Sequence, residues 1–475
     1  MRAPSHPVEP FDYLLFRGES DPRLRAAMLS VSLLDVSPGL DALRTAFDRA
    51  SRLVPRLRQR VVAPALPVTS AAWVVDPDFD LTYHVRAIRA PGAGSLRDVL
   101  DFAQTTMSAP LDVARPLWEA TLVEGVAEPG ATAALVIKVN HSLTDGEGAV
   151  QLLLALLDFE RENDRGPMPI RPVPEDRTPV ALVRDALRRA PQRSASALQR
   201  GLRQVPGRVV GSLRDPAGTA RRSADVVGSV RRVLGPPPAP PSPLLLRRGV
   251  GRRLEVLEVS LDDLRTAGKA AGGSVNDAYL AAVCGGLRRY HEELGVPVDT
   301  LPLAMPVSVR AAGDAAGGNR FSAIRLAAPI GVADPVQRMQ HIREQVLGAV
   351  EEPAFDAVAA VGPIISHLPA PLLSQMTTIA SSTDVQASNV RGYADAPYVA
   401  GAQLTRSYWF GPLPGVAMMI VLFSQAGTCY LGIHHDTAAV SDPALFARCL
   451  QEGIDEVVAC GRDPKPKPRA RRAGS

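Results

Sequence analysis

A mixed α/β (α+β) chain, folded as two lobes around a basic crossover, is what this sequence predicts. Residues 1–165 and 246–460 each mix strand-like and helix-like apolar patterns, and the stretch between them is rich in proline and arginine. The 475 residues, 46% of them hydrophobic, are too many for one compact core and enough for two.

In chain order, the first lobe is expected over 1–165, the crossover over 166–245, the second lobe over 246–460 and a basic, disordered tail over 461–475. The crossover opens on the proline-rich 166–179. From 180 to 234, short apolar periodicities (Val180, Val183, Leu187; Leu198, Leu202, Val205) are cut by Pro191, Pro206 and Pro216. Proline breaks a helix interior, so several short amphipathic helices are expected there in place of one long one. Six prolines in the nine residues 235–243 then make a semi-rigid spacer. Two lobes of similar size suggest a site in the crevice between them.

Charge is unevenly placed. Residues 181–234 carry 12 Arg against 3 Asp, and 462–475 carry 6 basic residues against 1 Asp, so the rest of this net +4 chain is acidic. Such basic segments suit an anionic membrane or lipid-droplet surface, or else form a solvated linker. They hold no aromatic residue to stack on bases, which argues against nucleic acid. The longest apolar run free of Gly and Pro, 416–423, is eight residues, whereas a spanning helix needs roughly 20. No apolar secretory segment is seen in the first twenty residues. Cys284, Cys429, Cys449 and Cys460 are scattered, so reduced thiols in a cytoplasmic protein are expected, with neither disulfides nor a metal site.

The chemistry concentrates in 131–160. Leu135, Ile137 and Val139 alternate with Val136, Lys138 and Asn140, a strand that ends at His141. Thr144 and Glu147 fit a capping box opening a helix with the stripe Val150, Leu153, Leu154, Leu157. A His at a strand end is held firmly while its ring can face a cleft, and its ordinary pKa suits a general base. Asp145 falls where a helix N-terminus favours negative charge, and Gly146 allows close backbone approach. Read alone, the segment is better taken as a buried, satisfied His beside the N-terminal Asp of a helix.

Asn140-His141-Ser142-Leu143-Thr144-Asp145-Gly146 resembles the HHxxxDG motif of the CoA-dependent acyltransferases, and within them the bacterial wax ester synthase/diacylglycerol acyltransferase family. Further segments look like that family's in order. They are Phe11 to Phe16, then Trp73 with Phe79-Asp80-Leu81 and His84-Val85, then Pro116-Leu117-Trp118. In the second half come Ser274-Val275-Asn276-Asp277, Pro306 to Arg310, Gly318-Asn319, and Ser388-Asn389-Val390 with Gly392. The resemblance implies a two-lobed chloramphenicol-acetyltransferase-like fold with a tunnel between the lobes. It implies acyl-CoA as co-substrate and diacylglycerol or a long-chain alcohol as acceptor, with no cofactor. His141 would be the general base. Asp145 would anchor the loop, with Arg310 as its candidate partner. Asn276, Ser388 and Asn389 are candidates for oxyanion or substrate contacts, although helix capping by Ser274 and Asp277 already accounts for the ND pair. Trp118 reads as core.

The chain departs from the pattern at Asn140, where the family has its first His, and at Arg391, where it has proline. Asn140 should point away from His141 and support the loop. These changes leave room for a non-catalytic lipid-binding protein on the same scaffold, or for a transferase taking its acyl group from a carrier protein. The His434-His435 pair is a poor chelate, because neighbouring strand residues face opposite sides. No G-x-S-x-G, Walker, G-x-G-x-x-G or H-E-x-x-H motif supports a hydrolase, NTPase or dehydrogenase.

Overall fold

The computed structural model describes residues 7–66, 69–144, 146–188, 237–308, 321–350 and 383–462, with side chains left out at 145–148, 151, 307–308, 321–323 and 350. Asp145, Arg310, Gly318, Asn319, residues 189–236 of the crossover and residues 463–475 of the tail lie outside the described residues.

Two six-stranded sheets carry the molecule. The first has the order β11-β12-β1-β6-β5-β4, formed by Tyr398–Val399, Ala402–Phe410, Ala27–Leu34, Ala131–Asn140, Trp118–Glu128 and Val85–Arg89. Every residue of β1 is buried, because both sheet faces are covered. On one face lies helix α2 (Leu40–Leu53, after α1 at Pro10–Gly18), whose Leu43, Ala46, Phe47 and Ala50 recur at helical spacing. The other face receives Val99, Leu100, Ala103 and Met107 of α4 (Leu96–Ser108), a helix opened by the Ser95–Asp98 capping box after the short α3 (Leu81–His84).

The second sheet has the order β7-β14-β13-β10-β8-β9: Arg252–Ser260, Thr428–Asp436, Met418–Gln425, Val385–Tyr393, Leu301–Ser308 and Phe321–Ala328. β13 and β14 join through Ala426 and Gly427, both at positive φ, the conformation a two-residue hairpin turn demands. After α5 (Gly146–Leu154) and the helical residues 179–188 come α6 (Leu261–Ala270), α7 (Val275–Glu293), α8 (Pro335–Val350) and α9 (Pro443–Arg462). Leu280, Val283, Cys284 and Leu287 form a buried stripe at helical spacing, and the expected Ser274–Asp277 capping box starts α7. α7 meets α9 backbone to backbone: a Cβ on Gly453 would sit 2.4 Å from Ala282 O and 2.5 Å from Gly286 N.

The sheets do not divide where the chain does. β11 and β12, from the second half of the sequence, complete the first sheet, with β12 antiparallel to β1 in the register Leu29↔Phe410 to Leu34↔Leu404. The reverse face of that sheet packs on β7: Arg97 pairs with Glu255 at 3.1 Å and donates to Leu254 O at 2.9 Å, and Leu254 lies in the core beside Val99 and Tyr430.

Two expected stripes are met only in part. Of the α5 stripe, Val150 and Leu157 are buried and Leu153 is half-buried against the core, while Leu154, where the helix ends, is exposed. Residues 179–188 are helical, but Leu182 and Val183 are buried and Val180 and Leu187 exposed. Leu182 packs on Val62, Ala72 and Val74 of a small sheet, β2 (Gln59–Val62) with β3 (Ala72–Val75), a partner outside the helix's own pattern. All four cysteines are free. Among the described residues no helix is long and apolar enough to cross a membrane, and no His/Cys/Asp/Glu group could hold a metal ion.

Candidate active site

The site is built on the end of β6. Ala27 pairs with Asn140, and the ladder runs one step further as His141 N donates to Ala26 O at 2.7 Å. Alternation places His141 on the same side as Ile137 and Val139, and Asn140 on the side of Lys138. His141 is half-buried.

Asn140 is fully buried and holds the turn from behind. Its Nδ2 donates to Glu19 Oε2 at 2.7 Å and its Oδ1 accepts from Ser142 N at 2.8 Å. The other oxygen of Glu19 accepts from Leu111 N at 2.8 Å. Lys138 Nζ, on the same side, donates to Thr106 O and Ala109 O at 2.8 and 2.7 Å. Glu19 is the residue that sequence reasoning misses: it lies 121 positions from Asn140, and nothing local marks it. The backbone of α5 begins at Gly146 as expected, but Thr144 Oγ1 is buried with no hydrogen-bond partner among the described residues, so the anticipated Thr144 cap is not seen.

On the His141 side of the sheet lies an apolar cleft of about 600 Å³. Its floor is Met28, Ser30, Ile137, Val139 and Trp409; Phe47 and Ala50 of α2 and Leu152, Leu153 and Leu156 of the α5 segment wall it. Thr144 lines it too. Trp118 combines two duties: it is 1% exposed and bonds Leu57 O through Nε1 at 2.7 Å, while its ring also lines the cleft. Behind that ring, His84 stacks at 4.5 Å and bonds Trp118 O at 2.7 Å through Nδ1; burial lowers its pKa to about 4, so it stands neutral as packing.

The second lobe brings Asn276 and Asn389 together, with Asn389 Nδ2 at 3.5 Å from Asn276 Oδ1, and Asn276 Nδ2 on Met305 Sδ at 3.4 Å. Ser388 is their neighbour on β10, the strand against which α5 packs. Arg391 is exposed. Asp145 and Arg310 lie outside the described residues. His434 and His435 face opposite ways, toward Gly411 O and the Phe446 ring.

Residues 7–279 match the model of the wax ester synthase/diacylglycerol acyltransferase catalytic domain, and residues 317–457 that of the WS/DGAT C-terminal domain. A Mycobacterium tuberculosis H37Rv protein provisionally named a diacylglycerol O-acyltransferase is 46% identical over 477 residues, covering 98% of this chain and 94% of its own. Another from that strain, provisionally named in the same way, is 30% identical over 390 residues, covering 80% and 82%. Among solved structures, the wax ester synthase/diacylglycerol acyltransferase from Marinobacter aquaeolei VT8 superposes with a TM-score of 0.65 at 20% identity, covering 96% of this chain and 100% of that one. The first condensation domain of the CDA synthetase gives 0.57 at 13% identity, covering 98% of each. At such identities the similarity is one of fold, the two-lobed architecture of condensation domains and chloramphenicol acetyltransferase.

Proposed function

The chain belongs to the wax ester synthase/diacylglycerol acyltransferase family, an acyltransferase family, and on that ground we propose that it moves a fatty acyl group from acyl-CoA to diacylglycerol, and also to long-chain alcohols. The carrying observation is His141 at a strand end on the face that holds an apolar cleft. In this reading His141 takes the proton of the acceptor hydroxyl as that oxygen attacks the thioester carbonyl. The oxyanion then formed needs preorganised donors, for which Asn276, Ser388 and Asn389 are the candidates, and CoA leaves as thiolate. Asn140 supports the loop through Glu19 and Ser142, Asp145 with Arg310 anchors its other end, and Gly146 opens α5. A cleft walled by Phe47, Leu152 and Leu153 suits an acyl chain, because each buried methylene contributes about 0.8 kcal/mol.

The test is labelled palmitoyl-CoA offered with diacylglycerol and, separately, with hexadecanol. Labelled triacylglycerol is expected in the first and wax ester in the second; label in neither removes the reading. Insoluble acceptors must be met at a lipid surface, for which the arginines of 181–234 are the proposed contact, Arg184 and Arg188 being exposed. Flotation with anionic liposomes should fall steeply as salt rises; salt-indifferent flotation would remove the arginines from that role.

A further inference from the structure

A second cleft, of about 420 Å³, opens at the seam of the two lobes and differs in chemistry from the apolar one. Arg23 and Arg25 line it from the first lobe, Arg252 and His434 from the second. Arg25 spends its donors on neutral carbonyls, Glu19 O at 3.1 Å and Ser108 O at 2.6 Å, and its charge is shared only at a distance with Asp21. Arg23, 66% exposed, reaches Asp21 at 3.2 Å, and Arg252 reaches Asp436 at 3.1 Å. His434 is 3% exposed. Its Nδ1 lies 2.7 Å from Gly411 O, and a carbonyl only accepts, so the proton sits on Nδ1. Nε2 is thus a buried acceptor, with no partner among the described residues, on the wall of the cleft. A ligand that satisfies this lining brings anionic oxygens for the arginines and, close by, an O–H or N–H for His434.

The position is as telling as the lining. Arg25 and Ala27, which line this cleft, flank Ala26, whose carbonyl holds His141 N at 2.7 Å. Met28 and Ser30, one step along the same strand, line the apolar cleft on the opposite face. The two clefts therefore lie on either side of one strand end, and His141 stands at that end.

We propose that the seam cleft binds the phosphate-bearing end of the acyl donor, with Arg23, Arg25 and Arg252 on the diphosphate and His434 accepting from the pantoyl hydroxyl next to it. This rests on the acyl-CoA reading above. The pantetheine arm runs round the strand end to His141, and the acyl chain continues into the apolar cleft.

The experiment uses the full chain, wild type and with Arg23→Gln or Arg25→Gln, titrated with CoA, pantetheine and inorganic pyrophosphate, and assayed with palmitoyl-CoA and palmitoyl-pantetheine. Wild type should bind CoA, with pyrophosphate competing. Each substitution should raise the CoA Kd and the palmitoyl-CoA KM about tenfold, while pantetheine binding and the palmitoyl-pantetheine KM stay put. Arg23 is a surface residue, so its variant keeps the test valid if Arg25→Gln does not fold. Unchanged Kd and KM in Arg23→Gln, alongside working acyl transfer, overturn the site and leave the acyltransferase reading standing. Pyrophosphate binding weakened by the substitutions in a protein that transfers no acyl group leaves an anion site and removes its assignment to acyl-CoA.

Discussion

Asn140 and His141 are neighbours in sequence and face opposite sides of the sheet. Asn140 faces backwards into a closed set of buried hydrogen bonds, and His141 faces forwards. Replacing His141 with Ala should lower acyl transfer by about 10²–10⁴-fold, the usual range of general-base catalysis, and leave the thermal melt unchanged. Turnover near wild type would exclude His141 as the base. Asn140→Ala should act on the fold instead: Glu19 Oε2 loses its buried donor and Ser142 N its acceptor, at a cost of about 1–3 kcal/mol for each group left unpaired. Urea denaturation reads that loss directly, and an unshifted midpoint would show that water replaces the amide.

At the scale of elements, β14 carries two buried histidines and the end of α3 a third. Burial lowers the pKa of His434 to about 3 and of His435 and His84 to about 4, whereas the unfolded chain titrates near 6.5. Below about pH 6.5 the unfolded state binds more protons, so stability is full above that value and drains away as pH falls toward 4. Melting temperatures at pH 7.5, 6.5 and 5.5 should show a plateau and then a decline; a flat profile would mean that these rings are solvated. The elements also differ in how far the sequence announces them. β6, α7 and its capping box were legible because strand alternation and S-x-x-D are written in adjacent residues. Leu154 of the α5 stripe and Val180 and Leu187 of 179–188 were misplaced because burial there depends on the surfaces those segments meet, β10 for one and Val62 with Val74 for the other. The place of His141 at the end of β6 was legible through strand alternation; Glu19, and the cleft residues on α2 and β12, have no local mark.

At the scale of the molecule, β12 reaches back to close the first sheet, with Ser32 and Ser407 hydrogen-bonded across 375 positions. The first lobe is not complete without the other half of the chain. Calorimetry should therefore find one cooperative transition, and two separated transitions would show lobes that unfold independently. The same strand bears on synthesis. A ribosome delivers β1 early and β12 only near the end, at about 5–20 residues per second, so for tens of seconds one edge of β1 has no native neighbour. An apolar edge left open that long is a template for pairing with another nascent chain. The price of lobes that share a strand is a long vulnerable interval at birth, and the yield of folded protein should depend on what shields that edge until residue 410 arrives.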